Sequence, residues 1–397
     1  MMKLNPKRLE RLNDILDEMT AKAFVSGCSC MVLQHGKEIC YYERGCRDLE
    51  QQLPLTRDTI FRLYSLTKPM TAVAAMLLIE DGKLDLLTKV ADYFPSFENQ
   101  YWIKDGQQIP VQTPMQVHHL LNMTSGLIYP DASGTLTDQM TTALVDEVIA
   151  KLHTEDALTT EQFVSRLGEI PLLFEPGTRW NYGLSADVLA ALIEKVSGMS
   201  FRTFMQKRLF EPLGMANTDF YVPQEKQHLL ASVYDWDENW QCLVKKEPDY
   251  LGISTRMERP PLYESGGAGL VSTIDDVARF ANMLTAHGKT ADGTALMSEK
   301  TWQYLTGGCL NPAQKTGIVW ENLPGYTYGN LMRVLEKPQE AITLGAAGEY
   351  GWDGWLGAYM TNDPENELTF LMMNQRMYTG TTLYTRKMRN IVYSSLE

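Results

Sequence analysis

The sequence predicts an α/β (α+β) protein in which strands from both chain ends form one antiparallel sheet and helices fill the middle. Three observations support this fold class. Strand-like runs occur near the N-terminus and again after residue 328, helical patterns dominate between them, and no internal repeat or low-complexity tract interrupts the order. With 397 residues, 44% of them hydrophobic, the chain can bury a sizeable core.

The N-terminal region predicts a helix followed by a β-hairpin. Residues 5–23 carry apolar side chains at helical spacing. Residues 28–45 read as two strands joined at His35-Gly36, a typical hairpin signal. A second helix is expected to begin close to Ser65, within the run FRLYSLTKPMTAVAAML.

The middle and the C-terminal part of the chain complete the pattern. Helices are predicted at 185–198, at 272–288 and over the last 14 residues, and strand-like runs at 328–336, 341–348 and 355–375. We therefore expect an α/β domain with the central antiparallel sheet, a mainly helical domain, and an active site in the cleft between them. The expected division is 1–85 and 262–397 for the α/β domain and 86–261 for the helical domain.

Charge and composition exclude several classes of function. The net charge of −13 disfavours nucleic acid and anionic membrane surfaces as partners, although it says little about a small-molecule substrate. No apolar run is long enough for a membrane span, and no secretory signal is seen, so we expect a cytoplasmic protein.

No cofactor or metal is expected either. Cys28 and Cys30 lie two apart on one strand, but a single C-x-C is a weak metal motif, and buried reduced thiols are the simpler interpretation. His118 and His119 are adjacent, so on a helix they point about 100° apart and form a poor chelating pair. The chain contains no phosphate-binding loop and no dinucleotide-binding fingerprint.

The strongest chemical signal is the serine–lysine pair Ser65 and Lys68. Residues three apart on a helix share a face, and a lysine made neutral by burial can act as the base that a serine nucleophile needs. Pro69 is tolerated only in the first helical turn, which places Ser65 at the helix N-terminus, where the dipole favours developing negative charge. S-x-x-K also occurs by chance, so the motif needs context.

That context comes from further stretches of the chain. They are LLNMTSGL, FEPGTRWNYGLSADVLAALIEKVSG, EPLGM, GGAGLVSTIDDVARF and the glycine-rich GAAGEYGWDGWLGAYM. Together with the serine–lysine segment, their order and spacing resemble the serine β-lactamase-like superfamily over roughly residues 20–390. This superfamily includes class C β-lactamases, DD-peptidases and family VIII carboxylesterases. The resemblance implies a β-lactamase/transpeptidase-like fold.

The resemblance also implies roles for three residues. Ser65 would be the acylated nucleophile, Lys68 would share in its deprotonation, and Tyr182 would act as general base and acid with Lys68. A tyrosine titrates near pH 10, so a phenolate would need the Lys68 cation beside it. Alternatively the three groups share a proton, in which case no single group owns it.

A second set of residues is implied by the third motif of the family, which here reads Trp352-Asp353-Gly354. The backbone amides of Ser65 and Trp355 would form an oxyanion hole, in which each donor typically contributes about 3–4 kcal/mol to the transition state. Gly354 would allow close approach of backbone and ligand. With Tyr64, the three motif residues are the expected substrate-binding residues.

Departures from the class C pattern point to the substrate. The Tyr-x-Asn motif is replaced by Tyr182-Gly183-Leu184, and Trp352 stands where a lysine or histidine binds the substrate carboxylate. Together with Asp353, these changes favour a neutral or apolar ester, similar to the family VIII esterases. The expected function is thus a serine hydrolase that acts through an acyl-enzyme, a carboxylesterase on small or apolar esters. Its expected partner is a small-molecule ester or amide substrate.

Other functions remain open. They are β-lactamase or DD-peptidase-like activity, acyl transfer to an alcohol or amine, and an inactive binding or sensor module. The sequence leaves the oligomeric state open.

Overall fold

The computed structural model describes residues 2–397. These residues form fourteen strands: β1 (Gly27–Gln34), β2 (Lys37–Asp48), β3 (Leu53–Pro54), β4 (Phe61–Arg62), β5 (Tyr101–Lys104), β6 (Gln107–Pro110), β7 (Tyr234–Asp237), β8 (Cys242–Lys245), β9 (Val271–Ser272), β10 (Tyr326–Gly329), β11 (Met332–Leu335), β12 (Tyr350–Asp353), β13 (Tyr359–Asp363) and β14 (Leu368–Asn374).

The same residues form thirteen α-helices: α1 (Pro6–Leu9), α2 (Arg11–Ala21), α3 (Thr67–Glu80), α4 (Val117–Leu121), α5 (Leu136–Lys151), α6 (Thr160–Leu167), α7 (Ser185–Ser197), α8 (Phe201–Met205), α9 (Glu211–Leu213), α10 (Ile274–Thr285), α11 (Glu299–Leu305), α12 (Pro312–Lys315) and α13 (Leu383–Ser394). A 3₁₀ turn, Tyr64–Leu66, leads directly into α3, and a π-helical turn, Gln206–Phe210, joins α8 to α9.

One eight-stranded antiparallel sheet organises the fold, in the order β10-β11-β12-β13-β14-β1-β2-β3. The sheet joins the two ends of the chain, because β1 pairs with β14 in its interior, with Cys28 opposite Asn374. The predicted fold class and the sheet built from both chain ends are therefore confirmed. The division into two domains stays a prediction, although all eight strands lie within the segments assigned to the α/β domain.

Alternate residues of β1 supply two separate cores, as the period of a strand requires. Cys28, Cys30 and Val32 pack with the apolar faces of α2 and α13. Met31 and Leu33 face the opposite side, where the larger core contains α3, α7 and α10. The sheet thus has helices on both faces, and α3 is enclosed in the larger core.

The interpretation of Cys28 and Cys30 as buried thiols agrees with the structure. Both side chains are completely buried, and burial raises the pKa of each thiol because the thiolate would lose its hydration. All six cysteines are free.

One predicted strand is wrong. The apolar run 341–348 contains no strand; it is a turn in which Ile342 and Leu344 are half exposed. Its backbone bonds elsewhere: Leu344 N donates to the side chain of Asn390, and Gly348 N donates to Leu335 O. Within residues 2–397, no helix is long and apolar enough to cross a membrane.

Candidate active site

Ser65 is presented by a strained turn at the start of α3. Tyr64 has a φ of +45°, a left-handed conformation that is costly for a bulky residue and is typical of functional sites. The turn is held because Leu63 N donates to Leu270 O at 2.8 Å. Pro69 lies in the first turn of α3, as predicted, so Ser65 stands at the helix N-terminus.

Lys68 is completely buried directly below Ser65. Its Nζ has three hydrogen-bond partners: Ser65 Oγ at 3.0 Å, the hydroxyl of Tyr129 at 3.0 Å and Gly267 O at 2.8 Å. Burial lowers the pKa of Lys68 to about 7, against the opposing effect of the carboxylates of Asp187 and Asp353.

The three partners are also compatible with a neutral amine. A neutral lysine has two N–H groups and one lone pair, and Gly267 O can only accept. The Tyr129 and Ser65 hydroxyls can each donate or accept, so either can present its proton to the lone pair. The geometry therefore allows Lys68 to take the proton of Ser65.

Tyr182 lies above Lys68, whose Nζ is 4.6 Å from the centre of the tyrosine ring. The Tyr182 hydroxyl accepts a hydrogen bond from Trp352 Nε1 at 2.9 Å. Burial raises the pKa of Tyr182 well above its ordinary value, and the nearby Ser65 hydroxyl and Trp352 N–H only partly offset the effect. Of the two protonation states left open by the sequence, a resting phenolate at neutral pH is disfavoured.

The third motif lies on β12 and the turn after it. Gly354 N donates to Ala358 O, and Gly357 N donates to Gly354 O. Trp355 lies in the turn that these two bonds close, and its backbone N–H has no hydrogen-bond acceptor within the described chain. It is thus free to donate to a ligand, as the predicted oxyanion hole requires.

Glycine is required at position 354 by contact with the turn that carries Ser65. A Cβ there would lie 2.1 Å from Leu63 O, one residue before Tyr64. We expect Gly354→Ala to displace this turn, to destabilise the protein by about 2 kcal/mol, and to reduce kcat/KM. Thermal unfolding and ester kinetics would measure both effects.

Gly348→Ala is the matched control for that variant. Gly348 has a φ of +81°, but a methyl group added there would meet no atom within 4 Å, so only backbone strain of about 1 kcal/mol is expected. Equal effects of the two substitutions on kcat/KM would contradict the contact argument.

The site residues converge on one cavity of about 280 Å³. It is lined by Tyr64, Ser65, Tyr129, Tyr182, Tyr250, Leu251, Trp320, Trp352, Asp353, Gly354, Trp355 and Gly380. Every predicted site residue lines this cavity except Lys68, which lies beneath its floor. Seven of the twelve lining residues are aromatic, so the cavity is suited to apolar groups.

Seven contributors were not identified from the sequence: Tyr129, Asp187, Gly267, Tyr250, Leu251, Trp320 and Gly380. Tyr129 and Gly267 hold Lys68. Asp187 is buried and accepts hydrogen bonds from Tyr263, Ser265 and the Gly267 amide. Two features of the sequence could have pointed to these residues. Tyr129 lies two residues after the TSGL run, and Asp187 is the single acid in the first two turns of α7.

Gly183 and Leu184 stand where the Tyr-x-Asn motif has its last two residues, and both are tightly packed. A Cβ on Gly183 would lie 2.3 Å from Leu127 O, so the backbones are in direct contact there. Leu184 is buried in the larger core. No side-chain amide is offered to a ligand from this position.

Comparison with known proteins identifies the family. The beta-lactamase family model matches residues 12–391. The chain belongs to the beta-lactamase family. The predicted membership of the serine β-lactamase-like superfamily is confirmed by this match over nearly the whole chain.

Relatives within the family include esterases. The chain is 28% identical to esterase EstB of Burkholderia gladioli over 97% of this chain and 95% of the relative. It is 30% identical to the lovastatin esterase of Penicillium rubens over 77% of this chain and 74% of the relative. A solved structure described as EstCE1, a hydrolase with promiscuous acyltransferase activity, superposes with a TM-score of 0.82 at 26% identity, over 98% and 99% of the two chains.

Proposed function

We propose that this protein is a serine hydrolase that cleaves small or apolar carboxylic esters through an acyl-enzyme on Ser65. The observation that carries the proposal is the buried Lys68, whose Nζ lies 3.0 Å from Ser65 Oγ and whose pKa is lowered to about 7. A lysine that is partly neutral at physiological pH is a competent general base.

In the acylation step, Lys68 accepts the Ser65 proton as Oγ forms a bond to the ester carbonyl carbon. The carbonyl oxygen becomes an oxyanion, held by the amides of Ser65 and Trp355. Collapse of this intermediate breaks the carbon–oxygen bond to the alcohol. Tyr182 gives its proton to the leaving alkoxide and regains one from Lys68.

In the deacylation step, water attacks the acyl-enzyme and releases the carboxylic acid and Ser65. Tyr182 or Lys68 accepts a proton from that water, and Ser65 Oγ is reprotonated. Trp352 Nε1, which donates to the Tyr182 hydroxyl, stabilises negative charge on that oxygen as the proton moves.

An ester substrate is supported over a β-lactam by the lining of the cavity. Where the class C β-lactamase pattern has a lysine or histidine that binds the substrate carboxylate, this cavity has the aromatic ring of Trp352 and, next to it, the Asp353 carboxylate. Leu184 stands in place of the asparagine of that pattern, so no side-chain amide is provided there. The esterase relatives EstB and lovastatin esterase support the same conclusion.

A direct comparison of the two reactions tests this choice. Purified protein is assayed with p-nitrophenyl esters from acetate to octanoate and with a chromogenic cephalosporin. We expect ester turnover with a higher kcat/KM than cephalosporin opening. The reverse order would assign the protein to the antibiotic-hydrolysing branch of its family.

Acyl transfer is a second candidate, supported by the promiscuous acyltransferase activity in the description of EstCE1. It shares the acyl-enzyme and differs only in the acceptor. Product analysis with added short alcohols decides: a transfer product that exceeds the free acid at low acceptor concentration would make transfer the main reaction.

The pH dependence of kcat/KM tests the assignment of Lys68 as base. Because only neutral Lys68 accepts a proton, we expect activity to rise with pH through about 7 and then to level off. Burial raises the pKa of both Tyr182 and Tyr129, so neither should cause a decline below pH 10.

The Asp353→Asn variant tests how the Asp353 carboxylate changes the pH dependence of kcat/KM. The Asp353 carboxylate raises the pKa of Lys68, so its removal should move the midpoint to lower pH. A profile that keeps rising towards pH 10 in the wild type would contradict a lysine with a lowered pKa.

A further inference from the structure

The substrate cavity combines aromatic side chains with one charged group. Among its described lining residues only Asp353 carries a formal charge at neutral pH, and the others are aromatic, aliphatic, glycine or Ser65. On one wall Trp355 stacks on Tyr250, with ring centres 4.4 Å apart, and meets Tyr64 edge-on at 5.1 Å. On another wall Trp320 meets Tyr182 at 5.0 Å.

Asp353 is not neutralised by an ion pair. One carboxylate oxygen accepts the Thr381 hydroxyl, and no lysine or arginine of the described chain lies within ion-pair distance. Arg333 acts on it only through space: the guanidinium is buried 5.9 Å from the centre of the Trp352 ring and donates to Met360 O. It does not line the cavity.

This combination has a defined ligand chemistry. The faces of Trp and Tyr rings carry negative electrostatic potential and attract cations, most strongly quaternary ammonium groups. A carboxylate beside such rings adds Coulombic attraction for a cation and repulsion for an anion. A neutral apolar ester would use the rings but would gain nothing from Asp353.

Building on the proposed esterase function, we propose that the preferred substrate is an ester that carries a positively charged ammonium group, bound between the Asp353 carboxylate and the aromatic walls while its carbonyl meets Ser65. Ser65 and Asp353 line the same cavity of about 280 Å³. A substrate that places its ester carbonyl at Ser65 and its ammonium group at Asp353 must therefore be a compact molecule. Choline-type esters have this arrangement.

The charge of such a substrate also suits the base. The Asp353 carboxylate favours the protonated form of Lys68. A bound cation offsets that effect and adds its own repulsion, so more of Lys68 is in the neutral form that accepts the Ser65 proton. An anionic substrate would act in the opposite direction.

Two thioesters of equal shape test the proposal. Butyrylthiocholine carries a trimethylammonium group, and S-(3,3-dimethylbutyl) thiobutyrate carries a neutral tert-butyl group in its place; thiol release is measured for both. We expect the wild type to favour the cationic thioester by about tenfold in kcat/KM. In Asp353→Asn that ratio should fall towards one.

Glu98→Gln is the matched control, since Glu98 is exposed and outside the cavity. It removes one negative charge and should leave the substrate ratio unchanged. A wild-type ratio near one, or a ratio that Asp353→Asn and Glu98→Gln change equally, would overturn the proposal.

Failure of the esterase function itself gives a different result. In that case neither thioester nor p-nitrophenyl butyrate is turned over, and the cation site is tested by calorimetric titration with phenyltrimethylammonium. Binding to the wild type that is weakened by Asp353→Asn would retain the site as a cation-binding site. No binding would reject it.

Discussion

Lys68→Met is expected to abolish ester turnover and to make the protein more stable at neutral pH. The wild-type lysine is completely buried, and its pKa is lowered from 10.5 to about 7. At pH 7 Lys68 is charged in the unfolded chain but only partly protonated in the folded protein. A shift of this size costs the folded state about 4 kcal/mol.

Part of that gain is lost in the variant, because Tyr129 and Gly267 O lose their shared partner. An unpaired buried polar group costs about 1–3 kcal/mol, so two such groups at the lower end of that range leave a net gain of about 2 kcal/mol at pH 7. Between pH 7 and 10.5 the unfolded chain binds more protons than the folded protein, so wild-type stability from this group rises with pH. The advantage of the variant should therefore vanish near pH 9 and be reversed at pH 10.

Urea unfolding at pH 7 and pH 10 measures this difference, with Lys207→Met as the control. Lys207 is exposed, so its replacement should not change the pH dependence of stability. A Lys68→Met variant that is less stable than wild type at pH 7, or one that still turns over esters, would show that Lys68 is a structural residue.

Ser65→Ala is expected to lower kcat for ester hydrolysis by about 10⁴-fold or more, because removal of the nucleophile of a serine hydrolase has effects of this size. The fold should be unaffected, since Ser65 is only half-buried and its hydroxyl bonds within the site. Circular dichroism, thermal unfolding and steady-state kinetics check these points.

Ser165→Ala serves as the matched control for that variant. Ser165 lies on α6, outside the cavity, and should be fully dispensable. A Ser65→Ala variant with a hundredth or more of wild-type activity would place the nucleophile on another residue.

The serine–lysine pair could be predicted because its geometry is local. Ser65 and Lys68 are three residues apart, and Pro69 marks the beginning of the helix. Their spacing alone brings the two side chains within 3.0 Å. Tyr182 and the 352–355 turn lie far away in the chain, and only the family resemblance linked them to Ser65.

The partners of Lys68 could not be predicted, because tertiary packing brings them together. Tyr129 and Gly267 reach Lys68 over sequence separations of 61 and 199 residues. At position 267 a Cβ would lie 2.6 Å from Asp187 Oδ2 and 2.8 Å from the Tyr129 hydroxyl, so glycine is required by a contact that the sequence does not reveal.

The apolar composition of one segment led to a wrong prediction. Residues 341–348 are apolar enough to suggest a strand, but their backbone partners are the end of β11 and a side chain of α13. The pH response of Lys68 likewise depends on its complete burial, which only the assembled core produces.

The most direct test of an activated Ser65 is the intact mass of the protein after incubation with a fluorophosphonate probe. Wild type, Ser65→Ala and Ser165→Ala are compared. We predict one adduct on wild type and on Ser165→Ala, none on Ser65→Ala, and loss of ester turnover in proportion to labelling. Equal labelling of Ser65→Ala, or a folded wild type that turns over esters without forming the adduct, would contradict the assignment of Ser65 as the nucleophile.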